Sequence, residues 1–228
     1  MCFTPVISLS TAILEFFVAT FIFIYFKKSR VNFFFIIFLY FLGFYQFSEF
    51  MLCTSGSAFF WAKIGFVTYT FLPAIGLYSV LRIINRDYKS YKLALVYLLP
   101  IIFSLIAIFS NNFIIKGECN KFFVEVQTMF SLFPILRAFY VIYYFGFLLL
   151  ICIFLLSKIV KEKNKIKKKI EIVIFVAIIL NLFPVIILMS IIPALGIMFP
   201  SIYCEFAVLF AIAAVIAAYL DSKPRKRY

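Results

Sequence analysis

Seven apolar runs, each close to the length that crosses a lipid bilayer, constrain this chain more than any other feature. The hydrocarbon core of a bilayer is crossed by about 20 residues of α-helix. A chain in lipid must also satisfy its own backbone hydrogen bonds, which makes a helix the form each run can take. The runs are Pro5 to Phe26, Val31 to Cys53, Phe59 to Ile83, Leu93 to Ile115, Ala138 to Leu156, Ile172 to Pro193 and Ser201 to Leu220. The expected fold class is therefore an all-α membrane protein. It is a bundle of seven transmembrane helices forming one domain over residues 1–220, with a basic tail at 221–228. The N-terminus lacks the basic region and small-residue cleavage site of a removable signal peptide, so the first run is expected to stay in the membrane.

Composition agrees with that solvent. Hydrophobic residues make up 66% of the 228 and aromatic residues 21%, where a soluble domain carries about half apolar residues. The net charge of +13 would point to nucleic acid in a soluble protein, but here the basic residues cluster between the spans. Eighteen of the 22 Lys and Arg lie after span one, between three and four, between five and six, and after seven. Basic residues in short loops stay on the cytoplasmic side, so the N-terminus is expected outside and the C-terminus inside, in the cytoplasmic membrane. The loop from Lys158 to Glu171 carries seven lysines. With the tail it is expected to lie against anionic headgroups or to dock a cytoplasmic protein; no nucleic-acid partner is expected.

Ionisable groups inside spans are costly and mark functional candidates. Four qualify: Glu15, Glu49, Lys63 and Glu205. Residues three or four apart share a helix face, which extends the set. Span two carries Gln46, Glu49 and Cys53; span one, Ser8, Thr11 and Glu15; span seven, Ser201, Cys204 and Glu205; span five, Tyr140, Tyr143 and Tyr144 near its outer end. Glu15 falls near mid-membrane and the others in the outer third. Together they predict an outward-facing polar pocket with Glu15, Gln46, Glu49, Lys63, Tyr140, Tyr144 and Glu205 as its ligand or ion groups. One lysine cannot neutralise three carboxylates, so Lys63 is expected to pair with Glu49 or Glu205, leaving another carboxylate to bind a proton or cation.

Cys2, Cys53, Cys119 and Cys204 map to the outer side and Cys152 to span five. Disulfides persist outside the cell, and Cys53 with Cys119 is the favoured pair among the three full pairings four cysteines allow; free cysteines are the alternative. The chain has no histidine, no CxxC, no phosphate-binding glycine loop and no Ser or Cys beside a recognisable base, so no catalytic residue, metal site or cofactor is expected. Ala207, Ala211, Ala214 and Ala218 form a small-residue stripe for close helix approach, either within the bundle or as the seam of a homodimer through span seven.

The order Glu49, Trp61 followed by Ile64-Gly65-Phe66, Pro73 and a leucine-containing stretch, within Phe44 to Ile83, resembles the seven-helix sensor module at the N-terminus of some prokaryotic histidine kinases. It is also similar to stand-alone archaeal seven-helix membrane proteins. The resemblance implies a non-enzymatic receptor or sensor. Because cytoplasmic signalling domains follow the module in such kinases, it also implies output here through a separate partner. A small transporter or proton or cation pathway is the alternative, and a structural or assembly subunit a third.

Overall fold

The computed structural model describes residues 3–84, 94–119, 124–191 and 199–222, with side chains described for 5–83, 94–119, 124–180 and 207–222. Its helices are α1 (Phe3–Tyr25), α2 (Arg30–Thr54), α3 (Ala58–Ile84), α4 (Leu98–Phe109), α5 (Pro134–Lys161), α6 (Lys165–Ile191) and α7 (Phe199–Ser222). Among the described residues, four stretches are long and apolar enough to cross a membrane: Pro5–Tyr25, Arg30–Thr54, Ala58–Ile83 and Pro134–Lys161. Large apolar side chains stand exposed on their outer faces, among them Val6, Phe17, Ile135 and Ile142, each more than two-thirds bare. That is the surface a bilayer covers.

The loops are set by local chemistry. Ser29 caps α2 by accepting the Asn32 N–H at 3.1 Å, and the Asn32 amide donates to the Lys27 carbonyl at 2.7 Å. Asn164 caps α6, its Oδ1 accepting the N–H groups of Ile166 and Lys167 at 3.0 and 3.2 Å. Each cap satisfies a donor that the first helical turn leaves open.

Several boundaries differ from the sequence expectation. The loop expected over Lys158 to Glu171 is mostly helix, α5 running to Lys161 and α6 starting at Lys165. Span four ends early: the helix stops at Phe109, where Ser110, Asn111 and Asn112 compete for backbone hydrogen bonds. Span five begins early, with Pro134 in the first turn of α5, where a missing N–H costs nothing. Between them, the connection expected to be a polar loop contains a hairpin. Strand β1 (Ile114–Cys119) pairs antiparallel with β2 (Val124–Thr128), matching Glu118 with Glu125 and Cys119 with Val124.

The helices α1, α2 and α3 pack in sequence; α7 lies against α1, α2 and α6, while α4 and α5 lie against α3. Because lipid is as apolar as a leucine side chain, such a bundle is held by close packing and internal hydrogen bonds rather than by exclusion of water. Close packing is visible at Gly43, where a β-carbon would stand 2.7 Å from the Phe16 ring. The α7 alanines 207, 211, 214 and 218 are all buried within this single chain. They join Ala19, Ile22, Phe35, Leu39 and Leu155 in one apolar cluster. A second cluster, rich in aromatic rings, lies under the hairpin and includes Phe66, Phe103, Phe113, Phe130 and Tyr140. Its ring pairs sit at 4.6 Å (Phe66–Phe113) and 5.1 Å (Phe103–Tyr140), separations at which edge-to-face contacts are favourable.

Candidate functional site

The hairpin is tied to the bundle by cysteine. Cys53, in the last turn of α2, and Cys119, at the end of β1, lie at disulfide distance with Cα atoms 5.4 Å apart. Cys152 is free, and Cys2 and Cys204 lie outside the residues whose side chains are described. The bridge and the hairpin mark one end of the bundle, and a pocket of about 160 Å³ opens beneath them.

Three helices and the hairpin build that pocket. From α2 come Tyr45, Ser48 and Glu49; from α3, Trp61, Gly65 and Tyr69; from α5, Arg137, Tyr140 and Tyr144; β2 and the turn after it form its roof. Helical spacing places the α2 contributors, since Tyr45 and Glu49 are one turn apart. The Tyr45 hydroxyl donates to Glu49 Oε1 at 2.5 Å, and Ser8 of α1 donates to Glu49 Oε2 at 3.4 Å. Glu49 is thus a buried carboxylate fixed from two helices. Gly65 lets α3 approach α2 closely, for a β-carbon there would come within 2.8 Å of Ser48 Oγ. Tyr69 packs edge-on to Tyr45 at 5.7 Å and to Tyr144 at 6.2 Å, so the interior is largely aromatic.

The residues expected to form one cluster are divided by the structure. Glu49, Tyr140 and Tyr144 line the pocket together. Tyr143, on the same stretch of α5, turns away and donates to the Thr70 carbonyl of α3. Among the described residues Lys63 makes no ion pair with Glu49; its ammonium donates to the Ser110 carbonyl at 2.7 Å. The early end of α4 brings that carbonyl, which also accepts the Phe113 N–H at 3.4 Å, within reach of Lys63. Glu15 and Gln46 are completely buried, and no side-chain oxygen or nitrogen of either has a hydrogen-bond partner among the described residues. The contacts Ser8–Glu49 and Thr20–Tyr40 bracket them on the antiparallel α1–α2 pair, which places both deeper than Glu49. Glu205 lies outside the described side chains.

Sequence reasoning missed Arg137, Tyr45, Tyr69 and the roof. Tyr45 was findable, lying four residues before Glu49 on the face already identified. Arg137 lies one residue before the expected start of span five at Ala138, and its place in α5 follows from Pro134. The exposed Arg137 and buried Glu49 are the charged groups of the described lining.

Outside the apolar spans, the hairpin carries its own charge pairing. Lys116 lies 3.0 Å from Glu118 and 3.2 Å from Glu125, and its hydrogen bond to Glu118, then that to Glu125, holds the ammonium above its ordinary value. At the opposite end of α5, Glu162 accepts the Asn164 N–H at 3.0 Å and pairs with Lys158 at 3.3 Å. The backbone hydrogen bond first, and the lysine second, hold that carboxyl below its ordinary value. Comparison with known proteins gives no match: no family model, no curated protein and no solved structure corresponds to this chain.

Proposed function

We propose that the chain is a non-enzymatic seven-span receptor or sensor of the cytoplasmic membrane, with its N-terminus outside. A small molecule bound in the Glu49 pocket would favour one helix arrangement over another. The observation that carries this reading is the pocket's construction: a buried carboxylate and a set of tyrosines under a cross-linked roof, above an apolar floor. Below Glu15 the inward-facing residues of α1 and α2 are Ala19, Ile22, Leu42, Leu39 and Phe35, which support a closed bottom. The order Glu49, Trp61, Gly65, Pro73 supports kinship with the sensor modules of prokaryotic histidine kinases, and the seven lysines from Lys158 to Lys169, on the end of α5, the turn and the start of α6, offer a cytoplasmic partner its docking face.

Filling the pocket from within tests it. Ala62 is buried in the lining, and Ala62→Phe occupies part of the cavity permanently. In lipid nanodiscs, hydrogen exchange over residues 157–169 should differ between Ala62→Phe and the parent, although Ala62 lies toward the other end of the bundle. Unchanged exchange there would sink the receptor reading.

A second reading, a proton or cation pathway, has one observation in its favour: both oxygens of the buried Glu15 lack hydrogen-bond partners among the described residues. Proteoliposomes under a proton, sodium or potassium gradient separate the two. The receptor reading expects no flux that depends on Glu15 or Glu49. A flux abolished by Glu15→Gln would favour the pathway.

A further inference from the structure

We propose that the Cys53–Cys119 bridge is an exchange site for small thiols, and that its opening releases the roof of the pocket beneath it. This concerns access to the cavity and holds whatever occupant the receptor reading assigns.

Each cysteine of the bridge adjoins a residue that lines the pocket. On α2, Leu52 precedes Cys53 and is buried in the wall. In the hairpin, Cys119 stands opposite Val124, which is buried in the roof. The bridge therefore clasps the α2 wall to the β2 roof, one residue away on one side and one ladder pair away on the other.

The two strands have different duties. Strand β1 packs against α2 and α3, while β2 supplies the roof through Val124, Val126, Gln127 and Thr128. At the foot of the hairpin the Met129 N–H donates to the Phe113 carbonyl at 2.7 Å. There the buried rings of Phe113 and Phe130 stand edge to face at 5.3 Å. The bridge fastens the opposite end of β1. Lys116, paired with Glu118 and Glu125, ties strand to strand and so moves with the hairpin. A strap held by packing at its foot and by a covalent bond at its far end swings about the foot once that bond opens. Such a motion gives up the contacts of the far end and keeps the foot, the pattern of a local opening.

Both cysteines are half-buried, so an edge of the bridge meets small reagents. An attacking thiolate forms a mixed disulfide with one cysteine and expels the other as a thiolate. A second thiol then displaces the first cysteine. The two external thiols leave as their own disulfide, and their protons pass to Cys53 and Cys119. Exchange with a small disulfide runs the same steps backward and refastens the roof.

Trp61 is the one tryptophan of the chain and borders the pocket, so its emission reports access. The cavity measures about 160 Å³, and one of about 150 Å³ takes up benzene, which makes acrylamide a quencher of suitable size. Quenching of Trp61 is measured in detergent-solubilised full-length protein before and after dithiothreitol. Alkylation of Cys53 and Cys119 is read by mass spectrometry and helix content by circular dichroism. Dithiothreitol should make both cysteines alkylatable and raise the quenching constant about twofold or more at unchanged helix content. Oxidised dithiothreitol should reverse both changes. The Cys53→Ser, Cys119→Ser double variant should be quenched like the reduced parent, with or without reductant. If that variant does not fold, reduction and reoxidation of the parent still decide. Failure of dithiothreitol to free the two cysteines in the folded protein overturns the exchange site. Freed cysteines with unchanged quenching, or quenching that rises only as helix content falls, overturn the release of the roof.

Discussion

The Tyr143 hydroxyl of α5 donates to the Thr70 carbonyl of α3 at 2.6 Å, three residues before Pro73. Pro73 has no N–H to give to the Tyr69 carbonyl four residues earlier, and its ring crowds that turn of α3. Inside a membrane a turn loosened in this way is steadied by donors from other helices. Tyr143 provides such a donor at the neighbouring Thr70 carbonyl, and Tyr140 adds a contact of 3.0 Å to the Thr70 hydroxyl.

Tyr143→Phe should therefore lower stability by about 1 kcal/mol, within the range of measured interhelical hydrogen bonds in membranes. The comparison is thermal unfolding of parent and variant in the same detergent. Tyr143 does not line the pocket, so the Trp61 emission of the folded variant should match the parent.

Gly43 tests the packing of α1 on α2. An added β-carbon would lie 2.7 Å from the Phe16 ring, and Phe16 is already in edge contact with Phe44 at 5.4 Å. Gly43→Ala should cost roughly 1–3 kcal/mol through overpacking. The double variant with Phe16→Leu should recover part of that loss in the same unfolding assay.

The bridge between Cys53 and Cys119 makes a prediction about reductant. Loss of a cross-link over a separation of 66 residues should lower stability by about 2–4 kcal/mol. A reducing agent should depress the melting temperature of the parent. It should leave a Cys53→Ser, Cys119→Ser double variant unchanged, and hydrogen exchange over 114–128 should rise in both reduced parent and variant.

Glu162 predicts behaviour in acid. Its carboxyl is held below its ordinary value of 4.5 by the Asn164 N–H and by Lys158. A lowered folded-state value means the contribution is fully present above that ordinary value and is lost as pH falls through the lower one. Protection of the amides of 158–168, corrected for intrinsic exchange, should fall as pH drops from 5 toward 3, values on the order of the carboxylate range. In Glu162→Gln the same amides should show less dependence on acid.

Much of the helical organisation was legible because apolar length and loop charge are properties of the sequence itself. The disulfide partner was also within reach, since Cys53 and Cys119 fall on one side once the spans are counted. The hairpin was not. Ile114 and Ile115 read as the end of an apolar span, and only the pairing with Val124–Thr128, a non-local contact, makes them strand. The Lys63 contact was illegible for a related reason, because Ser110 offers a backbone carbonyl where α4 stops, and no side-chain pattern announces one. Depth along each helix was predictable from residue count. Direction around the helix was less so, which is why Tyr140 and Tyr144 met the pocket and Tyr143 did not.

The bridge from Cys53 to Cys119 closes a ring of polypeptide that contains all of α3 and α4. Both sulfurs sit at the same end of the bundle, so the chain between them must leave that end and return before they can meet. The bond joins sulfurs that two successive helices separate along the chain. An oxidised Cys53–Cys119 pair would then serve as a chemical record, within each molecule, that α3 and α4 have folded back to the end of α2.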